Sequence, residues 1–370
     1  MVSFRPFPVL VILLAVVSAA ASSTAQSRAS QADSAALERK LSESVKQNPD
    51  SFEARHRLAV FYLREGHVKQ ALPQLERAAA INPASYEVGY DLARALLETG
   101  RLDAARAQVK GWLAKKDNGE LHNLLGDIEQ RAGNLIVAAD QFQRAAHLDP
   151  IEEHLFDWGD NLLQLRAYDP ATEVFVASVK RFPQSARLRI GLGIAQYYRG
   201  EYQDAVRSFC DAADLAPSDP RPYQFLGEMY GVSPAQSDEI TRRLARFVQL
   251  KPRDANGQYY YAMSLWRAPA GDAGPDLARI EALLRKATTL DARHAKARVQ
   301  LGILLSEQRR WREAIEALQA AVALEPDLAQ AHFRLAQAYR RTGETARADR
   351  ELATFEALKG REAPAPPVPD

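Results

Sequence analysis

Cysteine and histidine, which often bind metals or take part in catalysis, are few in this sequence. Their spacing does not suit a metal site. Cys210 is the only cysteine, which excludes an intrachain disulfide and a cysteine-based zinc site. The histidines are His56, His67, His122, His147, His154, His294 and His332. No two of them are three to five residues apart, as a helical metal-binding pair requires. The sequence predicts no metal site and no cofactor.

Motifs of the common enzyme classes are also missing. The nearest approach to a dinucleotide-binding loop is Gly191–Gln196, which lacks the third glycine and follows no predicted strand. Asp157 and Asp160 flank Trp158 and could form an acid/base pair, but we favour a solvated helix face as the explanation for these carboxylates. We therefore expect no catalytic residues and no enzyme activity.

The composition is that of a folded chain without a strong overall charge. Of 370 residues, 46% are hydrophobic and 26% are charged, with 48 Lys and Arg against 47 Asp and Glu. Such a chain has no general attraction to nucleic acid or anionic lipid. The basic run at Arg309, Arg310 and Arg312 lies among acidic residues, and we interpret it as a solvated face.

The N-terminus has the pattern of a secretory signal peptide. Arg5 precedes an uncharged run over residues 8–21, and Ser23–Ala25 supplies the small residues of a cleavage site. We expect residues 1–25 to be removed before Gln26, leaving an exported protein, periplasmic or extracellular and not inserted in a membrane. The alternative is an uncleaved anchor, although the apolar run is shorter than the about 20 residues that span a bilayer.

Prolines reveal a repeat of about 34 residues in the rest of the chain. They end helical patterns at Pro49, Pro83, Pro150, Pro183, Pro217, Pro252 and Pro326. We number the places of each repeat from its first residue. In the first repeat the recurring residues are Leu58 at place 7, Ala59 at place 8, Gly66 at place 15, Ala71 at place 20 and Pro83 at place 32.

This pattern resembles the tetratricopeptide repeat, a pair of helices with characteristic residues at these places. Small residues at places 8 and 20 let the two helices approach closely, and large residues at places 7, 11, 17 and 24 fill the space between them. Proline at place 32 lacks an amide hydrogen and ends the second helix. The resemblance implies an all-α fold, a right-handed superhelical α-solenoid of about nine helix pairs with an N-terminal capping helix.

The predicted organisation has three segments after the signal peptide. Residues 26–51 form a linker and the capping helix, 52–360 form nine repeats, and 361–370 form a proline-rich tail that we expect to be disordered. The predicted first residues of the repeats are Phe52, Tyr86, Gly119, Glu152, Ala186, Pro220, Ala255, Ala295 and Ala329.

Three repeats depart from the pattern. Repeat 2 has no closing proline and ends in a turn-rich stretch at 115–119. Repeat 6 replaces the turn between its helices with Gly231–Pro234, and we expect its second helix to start with Ser237 as the N-cap. Repeat 7 carries about six extra residues within 267–276, where Pro and Gly predict a loop.

The resemblance implies that places 2, 5, 9, 12 and 13 of the first helices face a concave groove. The predicted partner-binding residues in this groove are Phe156, Ile190, Ile194, Tyr197, Tyr198, Tyr259, Met263 and Trp266. Large apolar side chains are costly to expose without a function. The alternative is that they pack against neighbouring first helices or beneath the loop of repeat 7.

Some co-chaperones of the family bind a partner's C-terminal carboxylate with Lys at place 5 and Asn at place 9. In repeats 1 to 3 these places hold His56 and Val60, Tyr90 and Arg94, and Asn123 and Asp127. A chaperone C-terminus is therefore not the expected ligand.

Two functions fit these features. The first is an exported scaffold that binds a protein or peptide partner in its groove, in cell-envelope assembly or secretion. The second is a structural subunit of a larger envelope complex that docks through its outer surface and leaves the groove unused. The fold alone does not decide between them, and the sequence does not determine the oligomeric state.

Overall fold

A computed structural model describes residues 32–229, 234–268 and 274–360, and all regular secondary structure in these ranges is helical. The predicted signal peptide, the proline-rich tail, most of the repeat 6 turn and the middle of the repeat 7 loop lie outside the described residues. None of the described helices has the length and apolar character needed to cross a membrane.

The helices are α1 (32–47), α2 (Phe52–Arg64), α3 (Val68–Ile81), α4 (Tyr86–Glu98), α5 (Leu102–Leu113), α6 (Gly119–Arg131), α7 (Leu135–Leu148), α8 (Glu152–Gln164), α9 (Tyr168–Arg181), α10 (Ala186–Tyr198), α11 (Tyr202–Leu215), α12 (Pro220–Met229), α13 (Ser237–Leu250), α14 (Ala255–Arg267), α15 (Leu277–Leu290), α16 (Ala295–Glu307), α17 (Trp311–Leu324), α18 (Ala329–Arg341) and α19 (Thr345–Lys359). A short 3-10 turn, Pro234–Gln236, precedes α13.

The nine predicted repeats correspond to nine helix pairs within the described ranges. The first helix of each pair begins at the residue that the repeat predicts, from Phe52 in repeat 1 to Ala329 in repeat 9. Short polar side chains cap five of these helices by accepting a backbone N–H bond from the first turn: Ser51, Ser85, Asn118, Ser185 and Asp254. The capping helix predicted before repeat 1 is α1. The predicted all-α fold of helix pairs is thus confirmed.

Small residues bring the two helices of a pair together, as expected. A Cβ atom added to Gly126 at place 8 would lie 2.6 Å from the Phe142 ring at place 24. The same contact joins Gly193 and Phe209, at 2.8 Å. The alanines at place 20 are fully buried in seven repeats: Ala71, Ala105, Ala138, Ala171, Ala205, Ala314 and Ala348. The pairs of these repeats therefore depend on the absence of side-chain bulk at the two places.

The turn between the paired helices uses a left-handed backbone at place 15. In five repeats this residue is a glycine with φ between 74° and 82°: Gly66, Gly100, Gly133, Gly200 and Gly343. Repeats 4 and 8 have Arg166 and Arg309 at the same place, with φ of 58° and 61°. A side chain is strained in this conformation because its Cβ crowds the following carbonyl oxygen.

The start of the second helix in repeat 6 corrects one prediction. Ser237 is the first residue of α13, but it is not the N-cap. The cap is Gln236, whose side chain makes no capping hydrogen bond. The 3-10 turn before α13 carries the chain into the helix one residue earlier than expected, so Ser237 is buried within the first helical turn.

The chain divides into two compact parts, one ending at Asp157 and the other beginning at Trp158. The apolar core of the first part includes Leu75, Leu121 and Ile128. The second part has a core around Phe209, Tyr223 and Phe247, and further clusters in repeats 7 to 9 around Leu304, Leu318 and Leu335. Each cluster joins helices of neighbouring repeats, as expected when a repeat cannot bury its apolar surface alone.

Candidate partner-binding surface

We call places 2, 5, 9, 12 and 13 of the first helices the first-helix face. In the first compact part this face carries its buried polar groups in repeat 3. The Asn123 Nδ2 donates a hydrogen bond to Asp157 Oδ2 at 3.0 Å, while the buried Asn123 Oδ1 has no partner among the described residues. Burial, together with the nearby Asp157 and Glu153 carboxylates, raises the pKa of Asp127 to about 7 against the opposing effect of Arg94. Phe156 is half-buried on α8.

Two of the predicted contact residues lie in the core of the second part. Ile190 is 6% exposed and belongs to a cluster that includes Tyr223 and Leu226 of the next first helix. Met263 is 5% exposed on α14. Place 5 of repeat 5 is thus enclosed between neighbouring repeats, which is the packing alternative stated above. In this structure these two side chains support the helices and offer almost no contact area to a partner.

Three further predicted residues are half-buried, as Phe156 is. Ile194 and Tyr259 pack against the apolar cluster that contains Ile190. The Tyr259 ring centroid lies 5.0 Å from that of His294, and burial raises the pKa of Tyr259. Trp266 packs against the apolar cluster of repeats 8 and 9. These residues keep part of their surface accessible and have the rest fixed by packing.

The remaining two predicted residues belong to a group of tyrosine rings that we call the tyrosine cluster: Tyr168, Tyr197, Tyr198 and Tyr202. Tyr198 is 58% exposed and Tyr197 is 38% exposed. The Tyr198 ring stacks on Tyr168 with centroids 4.9 Å apart, and Tyr197 meets Tyr198 and Tyr202 edge to face, both at 5.5 Å. The four rings form a connected aromatic surface that is open to solvent on one side.

Two members of this cluster are not among the residues predicted from the sequence. Tyr168 and Tyr202 both stand at place 17, the first residue of a second helix, where a large residue was expected to fill the space between helices. The short turn of repeat 5 puts Tyr202 next to Tyr197, whereas Tyr168 of repeat 4 reaches Tyr198 of the following repeat. A tyrosine at place 17 beside tyrosines at places 12 and 13 was the signal that could have revealed the cluster.

Charged residues at the rim of the tyrosine cluster are paired. Arg199 Nε lies 2.8 Å from Asp169 Oδ1, and Arg199 Nη1 lies 3.2 Å from Glu201 Oε1. Exposed pairs of this kind contribute little stability, but one arginine against two carboxylates leaves the rim without an excess of positive charge. The cluster therefore offers aromatic surface and hydroxyl groups rather than an electrostatic site.

Repeat 6 separates the tyrosine cluster from the residues of repeat 7, and its first-helix face is polar. Gln224 and Glu228 are exposed on α12, and the Tyr260 hydroxyl donates to Glu228 Oε1 at 3.4 Å. Gly231, the third residue expected here, lies outside the described residues. Within the described ranges, no group of His, Cys, Asp and Glu side chains is arranged to hold a metal ion.

Comparison with known proteins gives partial matches. Human Protein O-mannosyl-transferase TMTC1 is 27% identical over 167 residues, which is 43% of this chain and 19% of that protein. The match thus spans about a fifth of the relative's length. The solved structure of pilF from Pseudomonas aeruginosa is 19% identical, with 57% of this chain and 97% of the other covered and a TM-score of 0.46. Yeast Tom70 is 15% identical, with coverages of 90% and 82% and a TM-score of 0.45.

Profiles described as tetratricopeptide repeat match three segments of the chain. One covers residues 62–128, and a second covers 156–220 and 299–364. Together these segments make up more than half of the sequence, and up to residue 359 they coincide with the helix pairs described above. The chain belongs to the tetratricopeptide-repeat family.

Proposed function

We propose that this protein is a scaffold that binds a protein or peptide partner on the first-helix face of repeats 5 to 7. The observation that carries this proposal is the tyrosine cluster. Tyr197 and Tyr198 hold large rings in solvent although the apolar core lies directly beneath α10. Tyrosine is enriched at protein interfaces because a rigid apolar ring and a hydroxyl can be buried together at low entropic cost.

The surroundings of the cluster favour a protein partner. The rim charges are paired, so there is no excess positive charge to attract nucleic acid or anionic lipid at this place. The half-buried Tyr259 and Trp266 supply a second aromatic contact area in repeat 7. Two aromatic areas on either side of a polar repeat suit a segment with two apolar anchors.

The experiment that tests this function is a pull-down from the envelope fraction with the purified protein as bait. A partner captured by the wild type and lost from Tyr197→Ala and Tyr198→Ala supports binding at the tyrosine cluster. Circular dichroism of both variants checks that helix content is unchanged. Retention of the partner by both folded variants would place the binding site elsewhere.

A second candidate function is that of a structural subunit docking through its outer surface. The observation that favours it is Ile136 on α7, which is 78% exposed beside the exposed Val137. Both residues stand on a second helix, at places 18 and 19 of repeat 3. Loss of the partner from Ile136→Ser, together with normal capture by the tyrosine variants, would support this candidate.

We further propose that the protein works outside the cytoplasm, after removal of residues 1–25. This rests on the charge and small-residue pattern before Gln26. Intact-mass measurement of the protein from the exported fraction tests it. A mass that begins at Gln26 is the expected result, and a mass that retains residues 1–25 would favour an anchored form.

A further inference from the structure

A cavity of about 490 Å³ lies between the first helices of repeats 8 and 9. We call it the arginine cavity. Its lining includes Ile303, Glu307, Trp311, Arg334, Arg340 and Arg341. Ile303 stands at place 9, and Arg340 and Arg341 stand at places 12 and 13, so the cavity opens on the first-helix face. It therefore lies on the face proposed above to bind a partner.

Packing contacts hold two of the arginines in place. The Arg341 guanidinium carbon lies 6.0 Å from the centroid of the Trp311 ring, at the limit of a cation–π contact. Arg334 lies over the Phe333 ring at 5.9 Å, and its Nη1 donates to Gln337 Oε1 at 3.3 Å. None of these contacts neutralises the positive charge.

The charge of the cavity is largely unbalanced. Among the described residues, no acidic group lies within ion-pair distance of Arg334 or Arg341, and the buried Arg334 Nε has no hydrogen-bond acceptor. Arg340 has one distant partner, Asp349, at 3.6 Å, and both side chains are exposed. Glu307 is the single acid in the lining, against three arginines.

The other nearby acids are already engaged. Glu351 Oε2 lies 2.6 Å from His332 Nδ1, and Glu344 Oε2 lies 2.8 Å from Arg347 Nη1. These carboxylates are therefore not free to turn into the cavity without breaking a short contact. A buried guanidinium N–H without an acceptor is costly, and a carboxylate from outside the chain would supply that acceptor.

We propose that the arginine cavity binds an acidic peptide segment of the partner, with an Asp or Glu carboxylate between Arg334 and Arg341 and an apolar neighbour against Ile303 and Trp311. This inference rests on the proposed function. Arginine suits the task because its planar group donates two parallel hydrogen bonds to a carboxylate. The site is not the clamp of the co-chaperones, because places 5 and 9 of repeat 9 hold Phe333 and Gln337.

An acidic peptide fits better than a nucleic acid. The apolar wall formed by Ile303 and Trp311 gives a hydrophobic residue next to the carboxylate a place to bind. A nucleic acid would need basic side chains along an extended path. Across the chain, Lys and Arg are nearly balanced by Asp and Glu.

The probe for this proposal is a fluorescein-labelled, amidated peptide Leu-Glu-Glu-Leu-Glu-Glu, compared with its counterpart in which Gln replaces Glu. Fluorescence anisotropy should show that the wild type binds the acidic peptide about tenfold or more tightly than the neutral one, and that salt weakens the binding. Arg341→Gln should weaken acidic-peptide binding about tenfold, and Arg334→Gln should do the same. Arg350→Gln, an exposed change of the same charge on α19, should have no effect.

Arg334 is partly buried, so Arg334→Gln could unfold the repeat and lose binding for that reason. Arg341 is exposed, so the result for Arg341→Gln decides whether the arginine cavity binds the peptide. Absence of binding, equal binding of both peptides, or unchanged binding by Arg341→Gln would overturn the proposal. Tighter binding of a short oligothymidine than of the acidic peptide would also overturn it. None of these results bears on partner binding at the tyrosine cluster, because Tyr197→Ala and Tyr198→Ala test that proposal separately.

Discussion

At the scale of the residue, the backbone at place 15 shows what the repeat requires and where the sequence departs from it. Arg166 and Arg309 hold the left-handed conformation that glycine holds in five other repeats. Both arginines are exposed, and neither forms an ion pair with another described residue. The left-handed conformation therefore strains these two residues, and no contact of their side chains with the described residues offsets the strain.

We predict that Arg166→Gly and Arg309→Gly each stabilise the protein. Removing the Cβ relieves about 1–2 kcal/mol of strain, and the greater freedom of glycine in the unfolded chain offsets part of it, so the expected net gain is about 0.5–1 kcal/mol. Thermal and urea unfolding measure the difference.

The reverse change serves as the control. A Cβ added to Gly200 would meet no atom within 4 Å, so Gly200→Arg introduces the strain without a clash. It should destabilise by a similar amount. If the arginine variants lost stability or Gly200→Arg gained it, place 15 would not be the source of strain.

A second residue-scale prediction concerns pH. The pKa of Asp127 is about 7 in the folded protein, against 3.8 for an ordinary aspartate. Between these values the folded state binds more protons than the unfolded state, so stability falls as pH rises from about 4 to 7. Asp127→Asn should match the wild type near pH 4 and exceed it by about 1 kcal/mol or more at pH 8.

Urea unfolding across this pH range provides the measurement, with the exposed Glu98→Gln as the control. The difference between Asp127→Asn and the wild type should grow as pH rises. A difference that is constant with pH, or one that shrinks, would contradict the raised pKa of Asp127.

The sequence predicts single residues well where the repeat itself dictates them. Gly66 at place 15 and Ala71 at place 20 follow from the 34-residue period, because each place has one geometric task. Ile190 and Met263 did not follow in this way. Their burial depends on which side chains the next repeat places against them. The repeat pattern fixes the places within one repeat but does not predict contacts between repeats.

At the scale of the element, the close approach of paired helices depends on a residue without a side chain. A Cβ on Gly302 would lie 2.5 Å from Leu318 Cγ and 3.2 Å from the Ala314 carbonyl oxygen. Gly302→Leu should therefore force α16 and α17 apart and cost about 1–3 kcal/mol. Thermal unfolding tests this prediction.

Gly111 on α5 provides the matched control, because a Cβ there would meet no atom within 4 Å. Gly111→Ala should raise stability by about 0.5–1 kcal/mol through helix propensity alone. An unchanged midpoint for Gly302→Leu would mean that place 8 of repeat 8 does not control the packing of this pair.

Helix starts were the most predictable elements of the fold. Short polar caps such as Ser51 and Asp254 mark them, and the period fixes their spacing. The second helix of repeat 6 was less predictable, because the usual turn is replaced and Gln236 takes the cap without a side-chain bond. The arginine cavity was not predictable, since its lining comes from α16, α17 and α18 together.

At the scale of the whole molecule, a nearly neutral chain carries first-helix surfaces of different character. Residues up to Asp157 present polar groups such as Asn123 and Asp127. Residues from Trp158 onward present the tyrosine cluster and, in repeats 8 and 9, the arginine cavity. On this account, the contacts that bind the partner are concentrated in the second compact part.

The decisive measurement is the affinity of the purified partner for the wild type, for Tyr197→Ala and Trp266→Ala, and for the second-helix variant Ile136→Ala. We predict that each aromatic variant loses about 2 kcal/mol of binding free energy, with helix content unchanged, and that Ile136→Ala binds as the wild type does. Wild-type affinity in both aromatic variants, or unfolding of both, would show that these residues serve packing and that the partner binds elsewhere.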